Sequence, residues 1–98
     1  MDKIKVFDLI LDPENKEVKR AGKLIRLTRK EYELLYYLIK HQGQVIQRKD
    51  LLKNIWGFPA DVESRVADVY IGYLRKKINI KGKKKLIRSI RGFGYSIK

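Results

Sequence analysis

Apolar positions along this 98-residue chain first recur at about every second residue, then every third or fourth, then every second again. "IKVFDLILD" alternates loosely, "PENKE" reads as a turn, and "EVKRAGKLIRL" offers two more short strands around Ala21-Gly22, so a small antiparallel sheet is expected first. The period then changes. In "LTRKEYELLYYLIK", Tyr32, Leu35, Tyr36 and Ile39 repeat at helical spacing, and Leu34 and Leu38 widen the stripe. Thr28 and Glu31 have the spacing of a capping box, Leu27 and Tyr32 that of a hydrophobic staple, and Gly43 is the expected stop. "RKDLLKNIWG" predicts a second helix burying Leu51, Leu52, Ile55 and Trp56, ended by Gly57 and barred from continuing by Pro59.

A third helix is predicted from about Glu63 or Ser64 to Ile78. Ala67, Tyr70 or Ile71, Leu74 and Ile78 line its inner face. Its other face carries Arg65, Val69, Gly72, Tyr73 and Lys76 at i, i+4, i+7, i+8 and i+11. An ordinary solvated face would not keep Val69, Gly72 and Tyr73 in one stripe; a face pressed against another macromolecule would. Gly72 costs the helix roughly 1 kcal/mol relative to alanine. Two readings of it stay open: a close helix crossing, or a close backbone approach to a partner. After the basic turn "NIKGKKK", the segment "LIRSIRGFGYSIK" reads as a hairpin with its tip at Arg91–Gly94.

Length allows one domain, residues 1–98, and one core, which the 44% hydrophobic content can fill. No repeat, low-complexity linker or membrane-length apolar run is present, and the first residues do not form a secretory signal. Without cysteine there is no disulfide framework, and the reading is cytoplasmic, with no membrane partner. Charge changes the picture most. The net charge of +13 is unevenly placed: every acid lies at or before Asp68, and Arg75, Lys76, Lys77, Lys81, Lys83, Lys84, Lys85, Arg88, Arg91 and Lys98 follow without one. A merely soluble surface mixes both signs; a one-sided cationic end points to phosphates.

Catalysis finds little to work with. His41 is the only histidine, at a helix end where a cation is favoured, and no cysteine is available to form a nucleophilic pair or zinc cluster with it. No phosphate loop or dinucleotide fingerprint occurs. No enzyme activity, metal or cofactor is expected. A helix following another through a short connection matches the helix-turn-helix plan, whose second helix enters a major groove. A basic hairpin beside it makes a winged helix, and Arg91 at its tip suits the negative potential of a narrow minor groove.

"RVADVYIGYLRKKI" resembles the recognition-helix signature of the OmpR/PhoB-type winged-helix effector domains, R-x-V-D-V-x-I-x-x-L-R-x-K-[LI]. "IRSIRGFGY" resembles their wing, I-x-T-V-R-G-x-G-Y, and "LTRKEYELLYYL" and "QRKDLLKNIWG" match their first two helix segments, so the likeness spans essentially the whole chain. The resemblance implies an α+β fold: a four-stranded antiparallel sheet, three helices and a C-terminal β-hairpin wing. It also implies the output half of a two-component response regulator, its receiver domain absent here. Such a domain binds tandem promoter half-sites on double-stranded DNA as a head-to-tail dimer, is a monomer when free, and contacts RNA polymerase through the loop at residues 57–64. The missing linker before "IKVFD" favours an excised half over a complete small protein.

Carried across position by position, the resemblance assigns DNA contacts to Arg65, Val66, Val69, Tyr70, Gly72, Tyr73, Arg75, Lys76 and Arg91. Arg65 and Arg75 match phosphate-contacting or helix-anchoring arginines. Val69 matches a position touching a thymine methyl. Asp68 matches an aspartate whose expected role is to orient a neighbouring arginine. Tyr70 replaces a common histidine and is expected to pack, its hydroxyl near the DNA backbone. The chain departs from the pattern at Gly72 and Tyr73, where relatives are often polar or basic. Tyr73 cannot make an arginine's bidentate contact to guanine, so the base sequence read is left open. The alternatives are non-specific binding of double-stranded RNA or architectural DNA, or a protein-interaction winged helix.

Overall fold

A computed structural model describes residues 2–97. The opening alternation becomes four short strands, β1 (Ile4–Val6), β2 (Leu9–Asp12), β3 (Glu17–Arg20) and β4 (Lys23–Ile25), paired antiparallel in chain order. Val6, Leu9, Leu11 and Val18 are buried on one face, while Lys5, Ile10, Lys19 and Leu24 stand in register on the other. Strand periodicity therefore sends one set of residues inward and leaves the second wet.

α1 (Arg29–Lys40) begins with the expected capping box: Thr28 Oγ1 accepts from the Glu31 N–H, and the Glu31 carboxylate accepts from the Thr28 N–H. Tyr32, Leu34, Leu35, Leu38 and Ile39 are buried along it. The helix stops earlier than Gly43 suggested. His41 caps it, its Nδ1 2.8 Å from the Tyr37 carbonyl, and Gly43 instead donates its N–H to Ile97 O at 2.9 Å. The glycine ties the helix exit to the last strand.

α2 (Arg48–Trp56) and α3 (Val66–Ile78) follow. α3 starts two or three residues later than its sequence pattern suggests. Glu63 is exposed, Ser64 uses its hydroxyl to accept the Val66 N–H at 3.2 Å, and the first fully buried anchor is Ala67. A helical turn that buries nothing is not held, because short helices depend on packing. On the inner face the alternative resolves to Ile71, with Ala67, Leu74 and Ile78 beside it, while Tyr70 is half-buried.

The C-terminal hairpin consists of strands on either side of a three-residue tip, with Gly94 already inside the second strand. A two-residue strand before α2, β5 (Ile46–Gln47), escapes the sequence pattern because two residues carry no period. β5 pairs antiparallel with β7 (Gly94–Ile97), which pairs in turn with β6 (Ile87–Ile90), giving a second sheet in the order β5-β7-β6. The wing is thereby stitched to the start of α2.

Candidate nucleic-acid interface

α3 turns a stripe of side chains away from the core. Val69 and Tyr73 are 45% and 47% exposed, and Arg65, Gly72 and Lys76 share their face. Val69 and Tyr73 stand side by side as an apolar and an aromatic residue among the polar groups of that face. A Cβ placed on Gly72 would meet nothing within 4 Å. No helix crosses there, so the crossing interpretation of Gly72 falls and the open approach to this face remains. Tyr70 lies edge-on between Trp56 and Tyr73, ring centroids 5.3 and 5.4 Å away, which holds Tyr73 at the rim of an aromatic row.

The stripe is aimed by a polar junction. Asp68 accepts from Arg48 Nε at 2.7 Å and from the Tyr95 hydroxyl, joining α3 to the start of α2 and to β7. Burial works against the Asp68 charge, but the hydrogen bonds from Tyr95 and Arg48 outweigh it and hold the carboxyl below its usual range. Burial and the Asp68 hydrogen bond push the Tyr95 phenol up. The guanidinium carbons of Arg48 and Arg75 both stand within 6 Å of the Tyr95 ring centroid, at 5.8 and 5.7 Å. Arg75 also donates to the Ile87 carbonyl at 3.2 Å and to Ser89 Oγ at 2.8 Å. Asp68 thus orients an arginine, as its position suggests, and that arginine is Arg48. Arg75 anchors the wing to α3 through its Nη2.

The wing needs Gly94. A Cβ there would lie 2.0 Å from the Ile46 carbonyl oxygen and 2.8 Å from its carbon, so any side chain would force β5 and β7 apart. The tip carries Arg91 and Phe93, both exposed, with Phe93 at 65%. Phe93 N–H closes the turn onto Ile90 O at 2.9 Å. Among the described residues, no carboxylate pairs with Arg91.

Between tip and helix runs an open groove of about 830 Å³, lined among others by Arg48, Val62, Arg65, Asp68, Gly92 and Phe93. The wing tip therefore flanks the N-terminal end of α3. Arg65, Val69, Gly72, Tyr73 and Lys76 lie together on the exposed stripe, with Arg91 beyond it on the tip. Val66 is set apart: it is half-buried and packs on the core. Two participants were missed from the sequence, Arg48 and Tyr95. The signals available were Asp68, the last carboxylate before a wholly cationic stretch, and Tyr95, the closing residue of the wing signature. Among the described residues no cluster of His, Cys, Asp or Glu could hold a metal ion, and no helix is long and apolar enough to cross a membrane.

Residues 22–97 match the family described as "Transcriptional regulatory protein, C terminal". The chain is 44% identical over 91 residues to the uncharacterized transcriptional regulatory protein YkoG of Bacillus subtilis (strain 168), covering 93% of this chain and 40% of that protein. It is 42% identical over 92 residues to the response regulator MprA of Mycobacterium sp. (strain KMS), covering 94% and 40%. The chain thus spans about two fifths of the length of these curated relatives. Among solved structures, the Klebsiella pneumoniae RstA DNA-binding domain in complex with the RstA box superposes with a TM-score of 0.89 at 33% identity, covering 99% of this chain and 97% of that one. DrrB, a Thermotoga maritima OmpR/PhoB homologue, gives 0.84 at 34% identity, covering 97% and 43%. A sheet of four strands, three helices and a wing in this order, together with these likenesses, identify the chain as a member of the transcriptional regulatory protein C-terminal family, the OmpR/PhoB-type winged-helix effector domains of response regulators.

Proposed function

We infer that this domain binds double-stranded DNA sequence-specifically to regulate transcription, with α3 in the major groove and Arg91 in the adjoining minor groove. The observation that carries the reading is the exposed Val69–Tyr73 stripe, open at Gly72 and flanked by a tip whose arginine has no carboxylate partner among the described residues. The likeness to an RstA domain complexed with its box supports the same partner. Within this reading, Arg65 and Lys76 hold phosphates at either end of the stripe, and Val69, Gly72 and Tyr73 face base edges. Tyr70 and Val66 support the helix from its flanks, and Arg75 positions the wing.

The whole protein carries a receiver domain ahead of this one and works in the cytoplasm in a two-component system. Free, the domain is a monomer; on DNA it occupies tandem half-sites head to tail. The exposed connection at residues 57–64, with Val62 39% exposed, is the surface offered to RNA polymerase. Random-site selection followed by footprinting tests the central claim. A selected motif bound roughly 10³-fold or more tighter than random duplex is expected. Binding with no preference, or tighter binding to double-stranded RNA, would refute it.

A further inference from the structure

α3 ends at Ile78, and the seven residues after it hold four lysines, Lys81, Lys83, Lys84 and Lys85, all exposed. The segment they occupy opens with a turn and is hydrogen-bonded at both ends. Lys83 N–H donates to Ile80 O at 3.0 Å. From below, the fully buried Arg20 donates to the Ile78 carbonyl at 2.8 Å and to the Lys84 carbonyl, with its Nε held by Asp8 at 3.0 Å. Lys84 Nζ sits 4.1 Å from the Phe7 ring centroid. Among the described residues no carboxylate pairs with Lys81, Lys83 or Lys85. A buried arginine is thus used to hold still a turn whose own cations are unneutralised.

The position of the turn says what meets it. It follows directly on the exposed α3 stripe, whose last member is Lys76, and leads into β6, where Arg88 is exposed. A helix of 13 residues is about 20 Å long, whereas a major groove is about 12 Å wide. A helix set across that groove therefore carries its C-terminal end out to the flanking phosphates. The carbonyl end of a helix would repel them; the lysines reverse the sign there.

We propose that the Lys81–Lys85 turn is a second, sequence-independent clamp on the DNA phosphodiester backbone, at the end of α3 remote from the wing tip. The proposal rests on the reading of α3 as the groove-lying helix. It adds affinity and salt dependence without adding base preference, because phosphates position a protein and bases specify its site.

The test compares the 98-residue chain with the triple variant Lys81→Gln, Lys83→Gln, Lys85→Gln, and with Lys3→Gln, Lys5→Gln, Lys19→Gln, which removes the same charge from the outer face of the N-terminal sheet. Lys84 is left in place because it packs on Phe7. Each is titrated with a duplex bearing the selected site at several salt concentrations. The parent slope of log K against log salt is expected near −5, the turn variant near −2, and the sheet variant at the parent value. The motif selected by the turn variant is expected to be unchanged. A turn variant with the parent slope, or a sheet variant that loses as much, overturns the clamp while leaving the DNA-binding reading intact. Failure of the parent to bind any duplex removes both.

Discussion

Gly94 and Gly92 sit two residues apart in the wing and carry different burdens. Both have left-handed backbone, φ +155 and +80, but only Gly94 has backbone atoms where a side chain would go. Gly94→Ala is therefore expected to cost about 3 kcal/mol or more, because β5 and β7 cannot both keep their places. Gly92→Ala meets open space and is expected to cost only the left-handed penalty of ~1–2 kcal/mol. Denaturant unfolding of the two variants measures the difference; equal losses would mean that the β5–β7 contact is not the constraint. For Arg91 the expectation is the opposite of structural. Arg91→Ala should leave the thermal midpoint unchanged, since its side chain is exposed at the tip, and weaken binding to the selected site, as titration would register. Val69→Ala is expected to alter preference at one base position by about 1 kcal/mol, visible in a repeated selection. An unmoved motif would count against this face of α3.

Individual elements are joined by a few charged contacts between α3 and its neighbours. Asp68 joins α3 to α2 and β7, and Lys77 Nζ reaches the nearly buried Glu31 of α1 at 2.6 Å. For Glu31, burial works against the charge, but the bonds from Lys77 and Thr28 prevail and its carboxyl also lies below its usual range. A carboxylate whose acidity is increased by folding stabilises the fold wherever it is ionised. That contribution is complete above about pH 5, where the unfolded carboxylates are ionised too, and is lost as the pH falls through and below about 4. The thermal midpoint is accordingly expected to be level between pH 5 and 7 and to drop below that range. Asp68→Asn should lower it at pH 7, by about 1–3 kcal/mol in stability, and flatten the acid limb. An unchanged acid limb in both Asp68→Asn and Glu31→Gln would place the sensitivity elsewhere.

Across the molecule, the N-terminal sheet, the end of α3 and the lysine turn are coupled through one side chain. Arg20 is fully buried and its partners are 12, 58 and 64 residues away in sequence. Arg20→Met would keep the volume but leave the Ile78 and Lys84 carbonyls and the Asp8 carboxylate without a donor. A loss of about 3 kcal/mol is expected, because the two carbonyls and the partly exposed Asp8 carboxylate lose their donor together. Chemical denaturation reads the loss, and amide exchange should localise the loosening to residues 79–86. A variant as stable as the parent would mean that the sheet does not brace this end of α3.

The order of the main elements, the start of α1, the span of α2, the exposed stripe on α3 and the cationic end were all legible from residues in a row. Each depends on near neighbours: a period of two or 3.6, a cap three residues from its partner, a count of charges. The capping box of Thr28 and Glu31 is such a case, and the glycine-bounded wing tip another. The junction of Arg48, Asp68 and Tyr95, the Arg20 brace and the β5–β7 pairing left no such trace, because their members lie 12 or more residues apart and meet only once the core has closed. The start of α3 belongs with them. Its local pattern allows a helix from residue 63, but a terminal turn survives only where it has something to bury, and that is set by what packs beneath it.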